Sequence, residues 1–195
     1  MAKLYFRYGA MNSGKSTALM QVAHNYEEQG MRVLILKPKV DTKGSGDLVS
    51  RLGVRRPADL LVPPDMDLVE AVRAASSKGR PLACVLCDES QFLTAEQAEQ
   101  LFMVTVELNI PVICYGLRTD FKGELFPGSA ELLATADVIE EVKTICWCGK
   151  KALCNARFDE SGHVIKEGEQ VVLGANDKYI GLCRKHWKEG NLGPQ

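Results

Sequence analysis

The sequence predicts an α/β fold with a central parallel sheet, followed by a smaller domain at the C-terminal end. Apolar segments that read as strands alternate with segments of helical spacing over much of the chain. The predicted strands are apolar on both faces, which is typical of a parallel sheet covered by helices on both sides. After about Leu133 the alternation fades, and cysteines, glycines and charges dominate from Cys146 onward.

The first predicted elements follow one another closely. Residues 3–8 predict a strand that runs into Gly9. Residues 16–29 predict a helix, since their apolar side chains share one face and Gly30 stands where a helix ends. Residues 32–36 form an almost continuous apolar run, which predicts a second strand buried on both faces.

The middle of the chain continues the pattern after an interruption. Residues 38–67 have no clear period and contain several glycines and prolines, so we expect a long functional or disordered loop there. The elements predicted after it are helices over 68–77, 94–109 and 128–136 and strands over 82–87 and 111–115. Thr94 and Gln97 have the spacing of a capping box. We place a domain boundary near residue 143, giving domains 1–143 and 144–195.

Composition and charge exclude several classes of protein. The 195 residues are 46% hydrophobic and carry 24 Lys+Arg against 25 Asp+Glu, a formal net charge of -1. That balance argues against a general electrostatic affinity for nucleic acid. No apolar run approaches the ~20 residues that span a bilayer, and the N-terminal apolar segment is too short for a signal peptide. We therefore expect a cytosolic protein with no membrane partner, in which the 7 cysteines are thiols or metal ligands.

The strongest motif is a phosphate-binding loop, G-x-x-x-x-G-K-[ST]. Its residues are Gly9, Ala10, Met11, Asn12, Ser13, Gly14, Lys15 and Ser16. In such a loop backbone N–H groups point at phosphate oxygens, and the following helix adds its positive end. Lys15 would neutralise the β- and γ-phosphates of ATP, and the Ser16 hydroxyl would bind Mg²⁺. A chance match in a glycine-rich turn is the alternative, but a predicted strand precedes the motif and a helix follows it.

A second motif is the acidic pair that ends the predicted strand 82–87. Asp88 matches the acid that supports Mg²⁺ in phosphate-loop proteins, and Glu89 could face the reacting groups. A kinase needs such a base because a hydroxyl that accepts a phosphoryl group loses its proton. The pair alone does not separate a kinase from an ATPase, which would use it to orient water.

Two close pairs of metal-binding residues predict a structural zinc site. The four residues are Cys146, Cys148, Cys183 and His186. Four protein ligands complete a tetrahedron and leave no open position for catalysis. Gly149 could relieve the strain of the short C-x-C spacing. The alternative is a set of buried free thiols, which is what we expect of three other cysteines. These are Cys84, Cys87 and Cys114, all in apolar strands; Cys154 lacks a partner at metal spacing.

With these elements in order, the sequence resembles the cellular-type, zinc-containing thymidine kinases over nearly its whole length. The resemblance is carried by the phosphate loop, the four metal ligands and three further segments. These segments are Asp88-Glu89-Ser90-Gln91-Phe92, the stretch YGLRTDFKGE at 115–124, and GANDKY at 174–179. The resemblance implies a kinase domain of the P-loop NTPase type and a zinc-binding domain carrying a loop that closes over the nucleoside.

The resemblance also implies an activity and its residues. It implies transfer of a phosphoryl group from Mg²⁺-bound ATP to the 5′-hydroxyl of thymidine, and usually deoxyuridine, in nucleotide salvage, with Glu89 as general base. Gln91 and Asp88 would join the phosphate loop at ATP. The nucleoside pocket would be lined by Met11, Phe92, Leu117, Phe121, Phe126 and Tyr179. The thymine edge would be bordered by Gln170, Val171, Val172, Leu173 and Gly174. A homotetramer and feedback inhibition by thymidine triphosphate are implied as well.

The residues permit other interpretations at several points. Core packing is the alternative role for the three phenylalanines, and support of the metal site is the alternative for Tyr179. The family often has an acid-x-Arg segment after the second strand, where this chain has Asp41-Thr42-Lys43. Lysine lacks the planar fork of arginine, so Arg51 is an alternative phosphate contact.

Two competing functions belong to other classes. One is a P-loop ATPase whose zinc module binds nucleic acid, against which the net charge and the lack of a basic, aromatic-rich stripe count. The other is a nucleotide-binding regulator without turnover. Glu89 beside Asp88 favours catalysis, since a pure switch has no hydroxyl to deprotonate.

Overall fold

The computed structural model describes residues 1–40, 46–50, 53–171 and 178–194. Within these ranges the helices are α1 (Lys15–Glu28), α2 (Leu68–Ser76), α3 (Ala95–Glu107), α4 (Pro127–Thr135) and α5 (Arg184–Glu189). The first eight strands are β1 (Leu4–Tyr8), β2 (Arg32–Pro38), β3 (Asp47–Val49), β4 (Arg55–Pro57), β5 (Leu60–Val62), β6 (Leu82–Cys87), β7 (Val112–Gly116) and β8 (Val138–Glu141). The remaining strands are β9 (Cys154–Phe158), β10 (Val164–Ile165) and β11 (Lys178–Leu182).

A six-stranded sheet with the order β5-β2-β6-β7-β1-β8 forms the centre of the fold. Every neighbouring pair in it is parallel, so all carboxyl ends meet at one edge. The alternation of helices with strands apolar on both faces predicted this sheet, and that prediction is confirmed.

Helices cover the two faces of the sheet unequally. One face packs against α2, α3 and α4, with Phe6, Leu101 and Leu132 fully buried between the layers. The other face packs against α1, and Leu48 from β3 extends that apolar cluster. Both faces are therefore buried, which is why the strand sequences read as unbroken apolar runs.

The long loop predicted for residues 38–67 is wrong for the part that the structure describes. Strands β3 and β4 form an antiparallel hairpin, and β5 joins the edge of the main sheet beside β2. Each has only three residues, too few to show a period in the sequence. The segment 41–43 and Arg51 lie outside the described residues.

The C-terminal region has its own small antiparallel sheet, ordered β10-β9-β11, and helix α5. Neither this sheet nor β8 was predicted. A separate apolar cluster lies here, made of Ala152, Ala156, Leu182 and two cysteines, and it also includes Ala10 of the phosphate loop. The predicted boundary near residue 143 falls just after β8 and stays a prediction. In the part of the chain that the structure describes, no helix is long and apolar enough to cross a bilayer.

Gly128 shows how tightly α4 packs against the turn that follows β6. A Cβ atom at this position would lie 2.5 Å from the Leu93 carbonyl oxygen and 2.9 Å from that of Ser90. Both contacts are with backbone, which cannot move aside without displacing the turn. The position therefore requires glycine, although it lies within a helix.

We predict that Gly128→Ala lowers the free energy of unfolding by roughly 1–3 kcal/mol because α4 must move away from the turn. Helix propensity alone would favour alanine by about 1 kcal/mol, so the two effects have opposite signs. Equilibrium urea unfolding measures the change, with Ala134→Ser on the exposed side of α4 as the control. A stabilised Gly128→Ala protein would contradict the packing described here.

Candidate active site and metal centre

The phosphate loop joins β1 to α1 and is fixed to the end of β7. The Gly9 N–H donates to the Gly116 carbonyl oxygen over 3.2 Å. A Cβ atom on Gly9 would lie 2.5 Å from both Ser13 Oγ and the Val142 carbonyl oxygen, so the loop can close only with glycine here. Gly14 has a φ of 85°, which glycine adopts without strain.

A cavity of about 770 Å³ lies over this loop and is lined by Met11–Ala18, Glu89 and a few residues from other segments. Gly14 precedes α1 and has no side chain that could cap the helix. Because Gly14 and the first residues of α1 line the cavity, the positive end of the helix faces it, which is an arrangement suited to anions.

Lys15 is buried at the floor of this cavity. Its Nζ donates to the carbonyl oxygens of Ala10 and Gly9, over 2.9 and 3.3 Å. Burial lowers the pKa of Lys15, while the charges of Glu89 and Asp88 oppose that shift. A cation desolvated in this way favours an anionic partner, which the oxygens of a phosphate would supply.

Asp88 is buried beside the start of α1. Ser16 Oγ donates to Asp88 Oδ2 over 2.9 Å, so the two residues predicted to hold Mg²⁺ are in contact. Burial and the neighbouring charge of Glu89 raise the pKa of Asp88 to about 6. Mg²⁺ prefers oxygen ligands, and a buried carboxylate is stabilised by a cation, so Ser16 and Asp88 suit the ion.

Glu89 lies where the phosphate cavity meets a second one. Met11, Glu89 and Leu117 line both the large cavity and a smaller one of about 330 Å³. Glu89 has a φ of 50°, in the left-handed region that few residues other than glycine adopt. Such backbone conformations in non-glycine residues cluster at functional sites.

The second cavity contains the aromatic side chains that the family resemblance implies for the nucleoside pocket. Its lining includes Met11, Phe92, Leu117, Phe121, Phe126, Gln170, Val171 and Tyr179. Phe92 and Phe126 meet edge to face with ring centroids 5.8 Å apart. The phenylalanines thus pack together and also form a cavity wall. Val172, Leu173 and Gly174 lie outside the described residues.

Gln91, predicted to contact ATP, lines the second cavity rather than the large one. Its amide nitrogen donates to the Glu89 carboxylate, and its amide oxygen accepts from the Leu117 N–H. Two further residues of the cavity were not predicted. Asp120 is buried, holds the turn that follows it through two backbone N–H groups, and accepts from Gln170 Nε2 over 3.1 Å.

Asn155, on β9, was also missed. Its Oδ1 accepts from the Met11 N–H over 2.8 Å, and its Nδ2 donates to the Thr119 carbonyl oxygen over 3.1 Å. One side chain therefore links the phosphate loop, the segment after β7 and the C-terminal sheet. No motif marks this asparagine, because its partners are backbone groups distant in sequence.

The four predicted metal ligands come together beside α5. The ligand atoms of Cys146, Cys148, Cys183 and His186 all lie within 4.8 Å of one another. The Cys146 Sγ is 3.4 Å from His186 Nδ1, and the Cys148 and Cys183 Sγ atoms are 4.0 Å apart. Tetrahedral zinc requires ligand separations of about 3.5–3.8 Å, so this Cys₃His cluster could hold a zinc ion.

The surroundings suit a thiolate centre. Burial opposes ionisation of Cys146, but hydrogen bonds from the backbone at Cys148 and Cys183 outweigh it and lower its pKa to about 6. The Trp147 ring stacks on His186 at a centroid distance of 4.3 Å. Gly149 has a φ of 79°, consistent with its predicted role in the tight turn.

The remaining cysteines lie apart from this cluster. Cys84, Cys87 and Cys114 are buried free thiols, as predicted, and burial raises the pKa of Cys84 to about 12. Cys154 is half-buried and is not among the clustered ligands. It therefore offers a matched control for tests of the metal centre.

Comparison with known proteins decides the family. The model of the family described as thymidine kinase matches residues 2–187. The chain belongs to the thymidine kinase family. A thymidine kinase of Ruegeria pomeroyi is 50% identical over 195 residues, covering 100% of this chain and 98% of that one. Those of Salmonella paratyphi A and Yersinia pseudotuberculosis are 52% and 51% identical over 190 residues, covering 97% of this chain and 92% and 96% of theirs.

Among solved structures, the Thermotoga maritima RuvB Holliday junction branch migration motor is similar with a TM-score of 0.40 and 16% identity. The match covers 75% of this chain and 40% of that one. Membership of the thymidine kinase family rests on the sequence matches and not on this likeness.

The raised pKa of Asp88 predicts a pH-dependent stability. Because its folded-state pKa of about 6 exceeds its ordinary value of 3.8, the folded state binds the proton more tightly. The unfolding free energy therefore falls as pH rises from about 4 to about 6, by on the order of 3 kcal/mol from this group. Asp88→Asn removes that loss and should be more stable than wild type by ~1–3 kcal/mol at pH 8.

Urea unfolding of both proteins between pH 4 and pH 8 tests this prediction. The gap between them should be small at pH 4, grow up to about pH 6 and stay constant above it. An Asp88→Asn protein that is less stable than wild type at pH 8 would show that the buried carboxylate is already compensated.

From the Cys₃His cluster we predict that this protein, once purified, contains zinc. We expect about one zinc per chain in the wild type, and much less in Cys183→Ser, because a tetrahedral site loses one of its four ligands. Inductively coupled plasma mass spectrometry measures the content. Cys154→Ser, which removes a nearby thiol outside the cluster, should keep its zinc. A wild type without zinc, or equal loss in both variants, would argue against this centre.

Proposed function

We propose that this chain transfers the γ-phosphoryl group of ATP to the 5′-hydroxyl of thymidine, and also of deoxyuridine. The observation that carries the proposal is the position of Glu89 at the junction of two cavities. One cavity has the anion-binding loop and the positive helix end, and the other has aromatic walls. A triphosphate and a nucleoside placed in them would meet at that carboxylate. Membership of the thymidine kinase family supports the choice of nucleoside.

In the proposed reaction, Glu89 accepts the proton of the 5′-hydroxyl as its oxygen bonds to the γ-phosphorus. The bond from that phosphorus to the β–γ bridging oxygen breaks, and ADP leaves. Residues 9–16 supply backbone donors and the Lys15 ammonium, which stabilise charge on the transferred group. Ser16 and Asp88 would hold Mg²⁺, which neutralises charge on the triphosphate.

The aromatic cavity suits a flat base. Stacking on an aromatic face contributes about 0.5–1.5 kcal/mol per pair beyond burial of area. Phe121 and Phe126 are almost fully buried, so they offer rigid walls at little further loss of entropy. The guanidinium carbon of Arg157 lies over the Phe121 ring, 5.2 Å from its centroid, and supports that side chain.

The wider biological setting rests on the family resemblance alone. It includes a place in nucleotide salvage, a cytosolic location, a homotetrameric assembly and inhibition by thymidine triphosphate. The net charge of -1 is consistent with a small-molecule substrate rather than a nucleic acid.

Replacement of the base tests the proposal. Glu89→Gln should keep its affinity for ATP but lower kcat for thymidine by ~10²-fold or more, because the general base is lost. A radiolabel assay for thymidine monophosphate measures turnover, with deoxyuridine, cytidine and adenosine as parallel substrates. The exposed Glu96, seven residues farther along, gives the control Glu96→Gln, which should match wild type.

Two results would count against the proposal. Unchanged turnover in Glu89→Gln would remove Glu89 from the base role. Wild-type protein that phosphorylates cytidine or adenosine as readily as thymidine would remove the substrate assignment.

A further inference from the structure

The side chain of Gln91 is held between two loops at the carboxyl edge of the sheet. It belongs to the short 3₁₀ turn Ser90–Phe92 and is only 1% exposed. Its Oε1 accepts from the Leu117 N–H over 3.0 Å, and its Nε2 donates to Glu89 Oε2 over 2.5 Å. Because a backbone N–H can only donate, the amide oxygen must face Leu117, and the amide nitrogen therefore faces the carboxylate.

The end of β7 is shaped to admit this side chain. A Cβ atom on Gly116 would lie 2.8 Å from Gln91 Oε1 and 2.6 Å from Ser90 Oγ. Ser90 Oγ donates to the Tyr115 carbonyl oxygen over 3.0 Å, which ties the same turn to the same strand. The absence of a side chain at Gly116 is therefore a condition for the contact between Gln91 and Leu117.

These contacts also hold the backbone of Glu89. A left-handed conformation costs a residue with a Cβ atom roughly 1 kcal/mol, and it persists only where the surroundings fix it. The Phe92 N–H donates to the Glu89 carbonyl oxygen over 3.0 Å, and Gln91 holds the side chain. Gln91 thus holds the Glu89 carboxylate at the junction of the two cavities.

We propose that Gln91 is a positioning residue that orients the carboxylate of Glu89 towards the reacting hydroxyl. The inference rests on the proposed function, in which that carboxylate accepts a proton. It assigns Gln91 a role at the base, whereas the family resemblance implies one at ATP. A donor fixed on one carboxylate oxygen holds the carboxyl group in one orientation, so that its other oxygen can face the substrate hydroxyl.

Gln91→Leu is the most direct test, since it removes both hydrogen bonds of the amide and keeps a side chain of similar size. We expect kcat for thymidine to fall by ~10–10²-fold, because the carboxylate is no longer held towards the hydroxyl. The KM for ATP should change by less than about threefold.

A second readout does not depend on turnover. Crystal structures of wild type and Gln91→Leu show directly where the Glu89 side chain lies. Its carboxylate should leave the wild-type position in Gln91→Leu, because the donor that holds it is gone. A protein that fails to phosphorylate thymidine yet shows this change would end the proposed function and leave the contact between the two residues intact.

The control is the same substitution at another buried glutamine. Gln97 is 3% exposed, caps α3 and donates to the carbonyl oxygens of Pro63 and Met66. Gln97→Leu should lower stability with little change in kcat. Gln91→Glu, which keeps an acceptor for the Leu117 N–H but replaces the donor to Glu89, serves if Gln91→Leu does not fold, and it should lower kcat in the same way. An unchanged kcat with Glu89 in its wild-type position, or a rise in the KM for ATP as the main effect, would overturn the proposal.

Discussion

The parallel pairing of β7 between β6 and β1 determines where the polar groups of this protein lie. Parallel strands present their carboxyl ends on the same side, so the segments that follow all three strands emerge together. The phosphate loop, the acidic pair and the stretch after Gly116 thus become neighbours although more than a hundred residues separate the first from the last. The Gly9 N–H donates to the Gly116 carbonyl oxygen, and the Leu117 N–H donates to Gln91. The Ser16 hydroxyl donates to Asp88, which connects the phosphate loop to the acidic pair.

Burial of charge at that edge is the second constraint. Lys15 and Asp88 are almost fully buried, and Glu89 beside them is half-buried. The three charges therefore interact largely through protein rather than through water. The lysine has its pKa lowered and Asp88 has its pKa raised, so both are held away from their preferred ionisation states. An arrangement of this kind costs stability in the free protein, and a ligand carrying both phosphates and a divalent cation relieves the cost.

Sequence reasoning recovered the parts of this protein that are regular or local. Strands such as β6 are long enough to show that both faces are apolar, and the phosphate loop is a contiguous motif whose meaning depends on neighbouring elements. The ligands Cys146 and Cys183 were recognisable because metal chemistry restricts both residue type and spacing. The strands β3, β4 and β5 escaped notice because three residues show no period.

The contacts of single amides were also beyond the reach of the sequence. Asn155 and the amide oxygen of Gln91 bind backbone groups, and a backbone group has no signature in residue type. Asp120 looks like any acid in a turn until its burial is known. Residues that position the groups of a site are therefore harder to predict from sequence than the reacting groups themselves.

Asn155 and Ala10 connect the small C-terminal sheet to the phosphate loop. Ala10 packs within the apolar cluster around two of the cysteines, and Asn155 holds the Met11 N–H. The phosphate loop is therefore held both by the main sheet and by the smaller C-terminal sheet. Because the loop contacts both regions, we expect them to unfold in a single cooperative transition.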